Sequence, residues 1–229
     1  MVLEKIKELE EELSKLKSSL IETDIIVLLD RSGSMQSNKT DHEGGLRSFV
    51  ERQKELVGQT YFSFIQFDDQ NPFDLVYDKV SLNDVKELKL DPRGLTPLRD
   101  AIGRTINYFN STKRDVIFLI VSDGQENASK EFSQDQIRKM VLDKKEAGWQ
   151  FLFVGTNFDV ITTGINNGFD LGKNVIYTNN AASINQAYGV TANKLNAFRS
   201  ARASGQSVTV SSDCLDFSSE ELNEIKEAK

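Results

Sequence analysis

The apolar residues of this chain follow two kinds of pattern. Two runs are continuous. Asp24-Ile-Ile-Val-Leu-Leu-Asp30 holds five apolar residues between two Asp, and residues 115–122 read Asp-Val-Ile-Phe-Leu-Ile-Val-Ser. Unbroken runs of this length are what strands buried on both faces look like. Other segments repeat at three and four. Leu98, Ala101, Ile102, Thr105, Ile106 and Phe109 predict an amphipathic helix over 97–110. Leu46, Phe49, Val50 and Val57 predict the inner face of a helix over 41–57, with Thr40 as N-cap and Glu43 completing a capping box. Phe132-Ser133 followed by Gln136-Ile137 combines a capping box with a hydrophobic staple and starts another helix, which should end at Gly148.

The remaining elements follow from composition and turns. Residues 59–67 are β-rich and 73–80 read as a more polar strand, joined by the turn cluster Asp68-Asp-Gln-Asn-Pro72 into a hairpin with its second member at an edge. Residues 149–155 and 174–178 read as strands, 158–167 and 182–203 as helices. Phe217-Ser218 with Glu221-Leu222 opens a short last helix. At the other end, Val2, Ile6, Leu9, Leu13, Leu16 and Leu20 form a heptad seam. That helix would be about 30 Å long. It either folds back on its own domain or joins chains as a short coiled coil; both readings stand.

Apolar strands alternating with amphipathic helices imply an α/β fold, a mostly parallel sheet with helices on both faces. We divide the chain into an N-terminal helix (1–22), an α/β domain (23–178) and a C-terminal helical extension packed on it (179–229). In such sheets ligands bind at the carboxyl ends of the strands, so the residues after each buried strand carry the interest.

Composition narrows the chemistry found there. The 229 residues include one Cys (Cys214) and one His (His42). An intramolecular disulfide is impossible, and so is a Cys/His zinc cluster within one chain. The net charge of −7, from 28 basic and 35 acidic residues, makes a poor general nucleic-acid binder. No stretch of 18 apolar residues predicts a membrane span. Residues 2–20 carry Glu and Lys throughout, unlike a signal peptide, so a cytoplasmic location is expected. What remains is oxygen chemistry.

The first buried strand runs into Asp30-Arg-Ser32-Gly-Ser34, the second into Ser122-Asp123-Gly124, and Gly94-Leu-Thr96-Pro97 precedes the amphipathic helix. Asp30, Ser32, Ser34, Thr96 and Asp123 thus offer five oxygen-bearing side chains on three loops. The set suits Mg²⁺ or Mn²⁺, hard cations that take near-octahedral oxygen ligands. Neutral hydroxyls leave the charge of the metal uncancelled, so it can accept an anionic ligand from outside. D-x-S-x-S alone is weak, arising by chance in roughly one chain of this length in twenty. Its placement, and the two companion motifs in order, give it weight.

These three motifs resemble the von Willebrand factor type A domain and its metal-ion-dependent adhesion site, over roughly residues 24–178. The resemblance implies a Rossmann-like, doubly wound six-stranded sheet with one antiparallel edge strand, in the order 3-2-1-4-5-6. It implies that Ser32 and Ser34 contact Mg²⁺ directly, that Thr96, Asp30 and Asp123 do so directly or through water, and that the sixth position takes a Glu or Asp of a partner protein. Leu95 stands where the family often has a second Gly.

The expectation is therefore an intracellular, free-standing type A domain of bacterial or phage type that binds a protein ligand through Mg²⁺ and is not an enzyme. A structural or assembly subunit, oligomerising through residues 2–20 with an incidental metal, is the alternative. A metal-dependent hydrolase comes third. No G-x-S-x-G elbow supports a Ser-His-Asp hydrolase, and no Walker A loop or G-x-G-x-x-G supports nucleotide binding. Ser32 stands where a phosphoaspartyl transferase needs a second Asp. His42 is expected at an exposed helix end, Cys214 as an incidental thiol, and Lys194, Arg199 and Arg202 as a solvated basic face. Arg31 and Arg99 flank the metal loop, either tuning partner choice or simply solvated.

Overall fold

A computed structural model describes residues 4–9, 12, 21–56, 58–156, 162 and 164–229, Leu171 by its backbone alone. Six strands form one sheet: β1 (Glu22–Asp30), β2 (Gln59–Phe67), β3 (Asp74–Ser81), β4 (Asp115–Ser122), β5 (Gln150–Gly155) and β6 (Asn174–Ile176). Their order is β3-β2-β1-β4-β5-β6. All neighbours are parallel except the edge pair β2–β3. This is the Rossmann-like arrangement expected. The two continuous apolar runs became the central pair, β1 and β4, because only strands with neighbours and helices on every side remove such runs from water.

The helices are α1 (Lys39–Lys54), α2 (Leu98–Tyr108), α3 (Gln134–Glu146), α4 (Ala181–Ala203), α5 (Val208–Ser212) and α6 (Ser219–Glu227). Period-two alternation divides the core. Ile25, Val27 and Leu29 of β1 join Leu46 and Phe49 of α1 and Leu195 and Phe198 of α4 in one buried layer. Ile26 and Leu28 join Leu98, Ile102 and Ile106 of α2 and Ile137 of α3 in the other. Each such side chain, fully buried, stabilises the fold by roughly 1.5–3 kcal/mol.

Helix ends show which local signals survive. Ser133 caps α3 and Ser218 caps α6, each with the full reciprocal capping box. Gly148, with φ of 94°, follows α3, and its N–H and that of Trp149 donate to Lys145 O and Lys144 O. The start of α1 differs from expectation. A 3-10 turn over Gly33–Asn38 leads into a helix that begins at Lys39 with no side-chain cap. Glu43 instead accepts the backbone N–H of Leu90 at 2.8 Å. The local pattern was outcompeted by a long-range acceptor role.

Most of the N-terminal seam and of the helix expected over 158–167 lies outside the described residues. Residues 4–9 are helical, with Ile6 and Leu9 exposed, and 164–166 are helical too. Among the described residues no helix is long and apolar enough to cross a membrane.

Candidate metal centre

The strand register brings the first two loops together. Leu29 pairs with Val121, so Asp30 and Ser122 are the next positions on adjacent strands. By alternation both fall on the α2–α3 side of the sheet. Their side chains meet there: Ser122 Oγ donates to Asp30 Oδ2 at 2.6 Å. Asp30 Oδ1 accepts the Ser32 N–H at 2.7 Å, which folds the chain back over the strand end. Asp30 is fully buried.

That fold-back lines up the hydroxyls. Ser32 Oγ and Ser34 Oγ lie 3.0 Å apart, and Ser34 Oγ donates to Asp123 Oδ1 at 2.5 Å. Ser32 is buried and Ser34 exposed, so the group opens to solvent on one side. The middle loop is fixed from both sides. Gly33 N–H donates to Gly94 O at 3.1 Å and Arg93 N–H to Arg31 O at 2.7 Å. Gly94 has φ of 67°, and a Cβ there would collide with Asp69 Oδ1, the acceptor of the Leu95 N–H. Thr96 N–H donates to Asn127 Oδ1 at 2.9 Å, and Asn127 N–H returns a bond to Thr96 O at 3.1 Å.

Gly124 marks where these groups converge. A Cβ built on it would lie 2.8 Å from Thr96 Oγ1, 3.5 Å from Ser34 Oγ and 3.6 Å from Asp30 Oδ2. The structure thus brings all five expected side chains, Asp30, Ser32, Ser34, Thr96 and Asp123, around one small space that glycine leaves open. Among the described residues no three His, Cys, Asp or Glu side chains gather as a metal cage, and this group too has only two carboxylates, its other oxygens being hydroxyls.

The electrostatics are those of a site short of positive charge. Burial pushes the Asp30 carboxyl up to about 7, against the bonds from Ser122 and Ser32 that lower it. Burial also raises Asp123, against the Ser34 hydroxyl bond. Among the described residues no Lys or Arg pairs with either. A small hard cation would supply the missing charge, and two carboxylates with three hydroxyls suit Mg²⁺ or Mn²⁺.

The match that decides the family covers residues 24–191, aligned with the model of the von Willebrand factor type A domain. The chain belongs to this family. No curated protein matches it in sequence. Solved structures that resemble this type A domain are distant in sequence. The von Willebrand factor domain of the type V pilus tip protein Mfa5 from Porphyromonas gingivalis has a TM-score of 0.57 at 11% identity, covering 77% of this chain and 95% of that one. Proximal thread matrix protein 1 from the mussel byssus has 0.56 at 16%, covering 74% and 44%. The ArnB paralog VWA2 from Sulfolobus acidocaldarius has 0.53 at 20%, covering 77% and 46%. This chain thus spans less than half the length of the last two. The manganese-loaded TRAP protein of Plasmodium vivax has 0.50 at 13%, covering 75% and 72%.

Several basic residues of this type A domain sit elsewhere than their sequence context suggested. Arg31 is buried, not solvated. It bonds Asp68 at 2.6 Å and Asp74 at 2.5 Å and helps hold the β2–β3 turn under the site. Asp68 also takes Arg93 at 2.8 Å and the N–H groups of Gln70 and Asn71. Arg99 turns to Glu126, its backbone N–H donating to that carboxylate at 2.8 Å and its Nη2 lying 3.6 Å from it. His42 is 1% exposed rather than at an open helix end, with Nδ1 3.2 Å from the Tyr188 hydroxyl and Nε2 3.2 Å from that of Tyr177. Burial lowers it to about 4, so it is neutral at pH 7. The basic face of α4 is occupied too: Lys194 pairs with Glu221, Arg202 with Asp115, and Arg199 is buried. Cys214 is half-buried against the α1–α4 layer.

Residues the motifs did not include shape the third loop. Asp100 accepts the N–H groups of Lys130, Glu131 and Phe132, and Glu126 those of Arg99, Ala128 and Ser129. Only the spacing of acidic residues around a turn hinted at them.

Proposed function

We propose that this type A domain is a non-enzymatic binding module that holds Mg²⁺ or Mn²⁺ through Asp30, Ser32, Ser34, Thr96 and Asp123 and engages an Asp or Glu of a protein partner. The observation that carries this reading is the convergence of two unpaired carboxylates and three hydroxyls around the space above Gly124. When bound, the cation supplies a Lewis-acid centre that a partner carboxylate can ligate.

The chain's own residues prepare that event. Ser122 and the Ser32 N–H hold Asp30 in place. The hydroxyls of Ser32 and Ser34 add oxygen donors without adding charge. Exposure of Ser34 leaves an approach from solvent. The manganese-loaded state of one distant neighbour, and the pilus setting of another, are in keeping with this reading.

Calorimetry with Mg²⁺ and Mn²⁺ on the wild type and Asp30→Ala tests the site. Saturable binding lost in the variant is expected; absent or equal binding in both sinks it. A pull-down with and without EDTA then tests the partner.

The second reading, assembly through the terminal helix, rests on Ile6 and Leu9, which are 47% and 53% exposed on helical residues 4–9. Light scattering on the full chain and on one lacking residues 1–22 separates the two. A monomer in both cases refutes coiled-coil assembly.

A further inference from the structure

Arg199 of α4 is 6% exposed. Its acceptors are all neutral: Nη1 donates to Gln53 O at 3.0 Å and Gln53 Oε1 at 3.1 Å, and Nη2 to Thr60 Oγ1 at 2.6 Å. Among the described residues no carboxylate pairs with it. Burial lowers its pKa to about 10, with no acid counteracting the shift. Among the described residues every other buried Arg or Lys is placed differently. Arg31 has two Asp partners, and Lys173 lies near Asp170, Asp213 and Asp216. A guanidinium out of water with no counter-ion is costly.

The same Arg199 lines a cavity of about 310 Å³ between the end of α1, the start of β2 and the turn after β3. Gln59, Tyr61 and Asn83 give it polar edges and Leu56 and Leu82 an apolar wall, and among the described residues no Asp or Glu lines it. Its second cation, Lys54, is already tied to Glu51 at 2.7 Å. Three donor hydrogens of Arg199 are used by the bonds above. Nε–H and one Nη2 hydrogen carry no protein partner among the described residues, and these two nitrogens share the edge of the guanidinium that oxyanions take in pairs. The cavity lies at the amino ends of the strands, across the sheet from the metal centre.

We propose that this cavity is a binding site for a small organic monocarboxylate, with Arg199 as its anchor. One unbalanced cation matches one carboxylate, and the Leu wall matches a short apolar tail. A volume near 300 Å³ is at the small end of ligand pockets. The proposal is independent of the metal reading.

The test uses the full chain in EDTA, followed by amide chemical shifts during titration with butyrate, with its neutral counterpart butyramide and with inorganic phosphate. Butyrate should give saturable shifts at Gly58, Gln59 and Thr60, and butyramide none. Arg199→Gln should weaken butyrate at least tenfold. Asn83→Asp, which places a carboxylate on the cavity lining and leaves the Arg199 contacts in place, should weaken it as well, should Arg199→Gln fail to fold. Equal responses to butyrate and butyramide, or butyrate binding that survives Asn83→Asp, would overturn the proposal. Tighter binding of phosphate than of butyrate would overturn the carboxylate assignment.

Discussion

Ser34 and Asp123 are 89 positions apart, yet the Ser34 hydroxyl lies 2.5 Å from Asp123 Oδ1. That contact closes a ring of oxygens whose floor is the bare Cα of Gly124. A methyl there would sit 2.8 Å from Thr96 Oγ1, inside the space proposed for the cation. Gly124→Ala should therefore remove Mg²⁺ and Mn²⁺ binding while leaving the fold intact. Calorimetry and circular dichroism check the two halves. Unchanged metal affinity would show that the cation, if held, sits elsewhere.

Asp30 and His42 should pull stability in opposite directions over one pH range. The folded Asp30 carboxyl titrates near 7 against an ordinary 3.8, so the native state holds a proton that the unfolded chain releases. Stability then falls as pH rises from about 4 to 7. The shift is worth on the order of 4 kcal/mol at most. His42 is lowered from 6.5 to about 4, so the unfolded chain binds its proton first and stability rises from pH 4 to 6.5. That shift is worth on the order of 3 kcal/mol. In EDTA, the stability of Asp30→Asn relative to wild type should climb with pH across this range. That of His42→Gln should decline. Urea unfolding at half-unit pH steps measures both, and parallel trends would refute the assignment.

Two adjacent glycines in α1 should respond oppositely to the same change. A Cβ on Gly45 would collide with the Tyr188 ring of α4, whereas one on Gly44 would meet nothing within 4 Å. Gly44→Ala should stabilise by roughly 0.5–1 kcal/mol through helix propensity. Gly45→Ala should destabilise by about 1–3 kcal/mol through overpacking, propensity notwithstanding. Thermal unfolding of the pair decides.

Asp68 is the counter-ion that Arg31 and Arg93 share, with its side chain fully buried. These bonds hold it below the usual carboxylate range against the opposing effect of burial. Asp68→Ala leaves Arg31 with Asp74 as its one remaining carboxylate and should cost about 1.5–3 kcal/mol. Because Arg31 lies between Asp30 and Ser32, metal affinity should weaken as well. A variant as stable as wild type would show that Asp74 alone suffices.

The sequence was most informative where one segment decides the outcome by itself. Residues 115–122 form β4 as read, because so apolar a run has no other stable setting. Ser133 and Ser218 cap their helices because each box is closed within four residues. The meeting of the loops that carry Asp30 and Asp123 was legible for a related reason: strands buried on both faces fix where their carboxyl ends fall. The buried polar groups were not. Arg199 finds its acceptors on α1 and β2, His42 on α4 and beside β6, and Glu43 at Leu90. Arg199 and His42 looked like surface residues and Glu43 like a capping partner, because their true partners are far away in sequence. Only tertiary packing put them in reach.

The segment 93–96 touches both of its companions. Arg93 joins the first loop through Arg31, Gly94 through Gly33, and Thr96 exchanges two bonds with Asn127 of the third. Among these bonds, the first and third loops are each held through the second. Thr96 runs straight into the first turn of α2, so a ligand held at the centre would load that helix as well as the strand ends that carry Asp30 and Ser122.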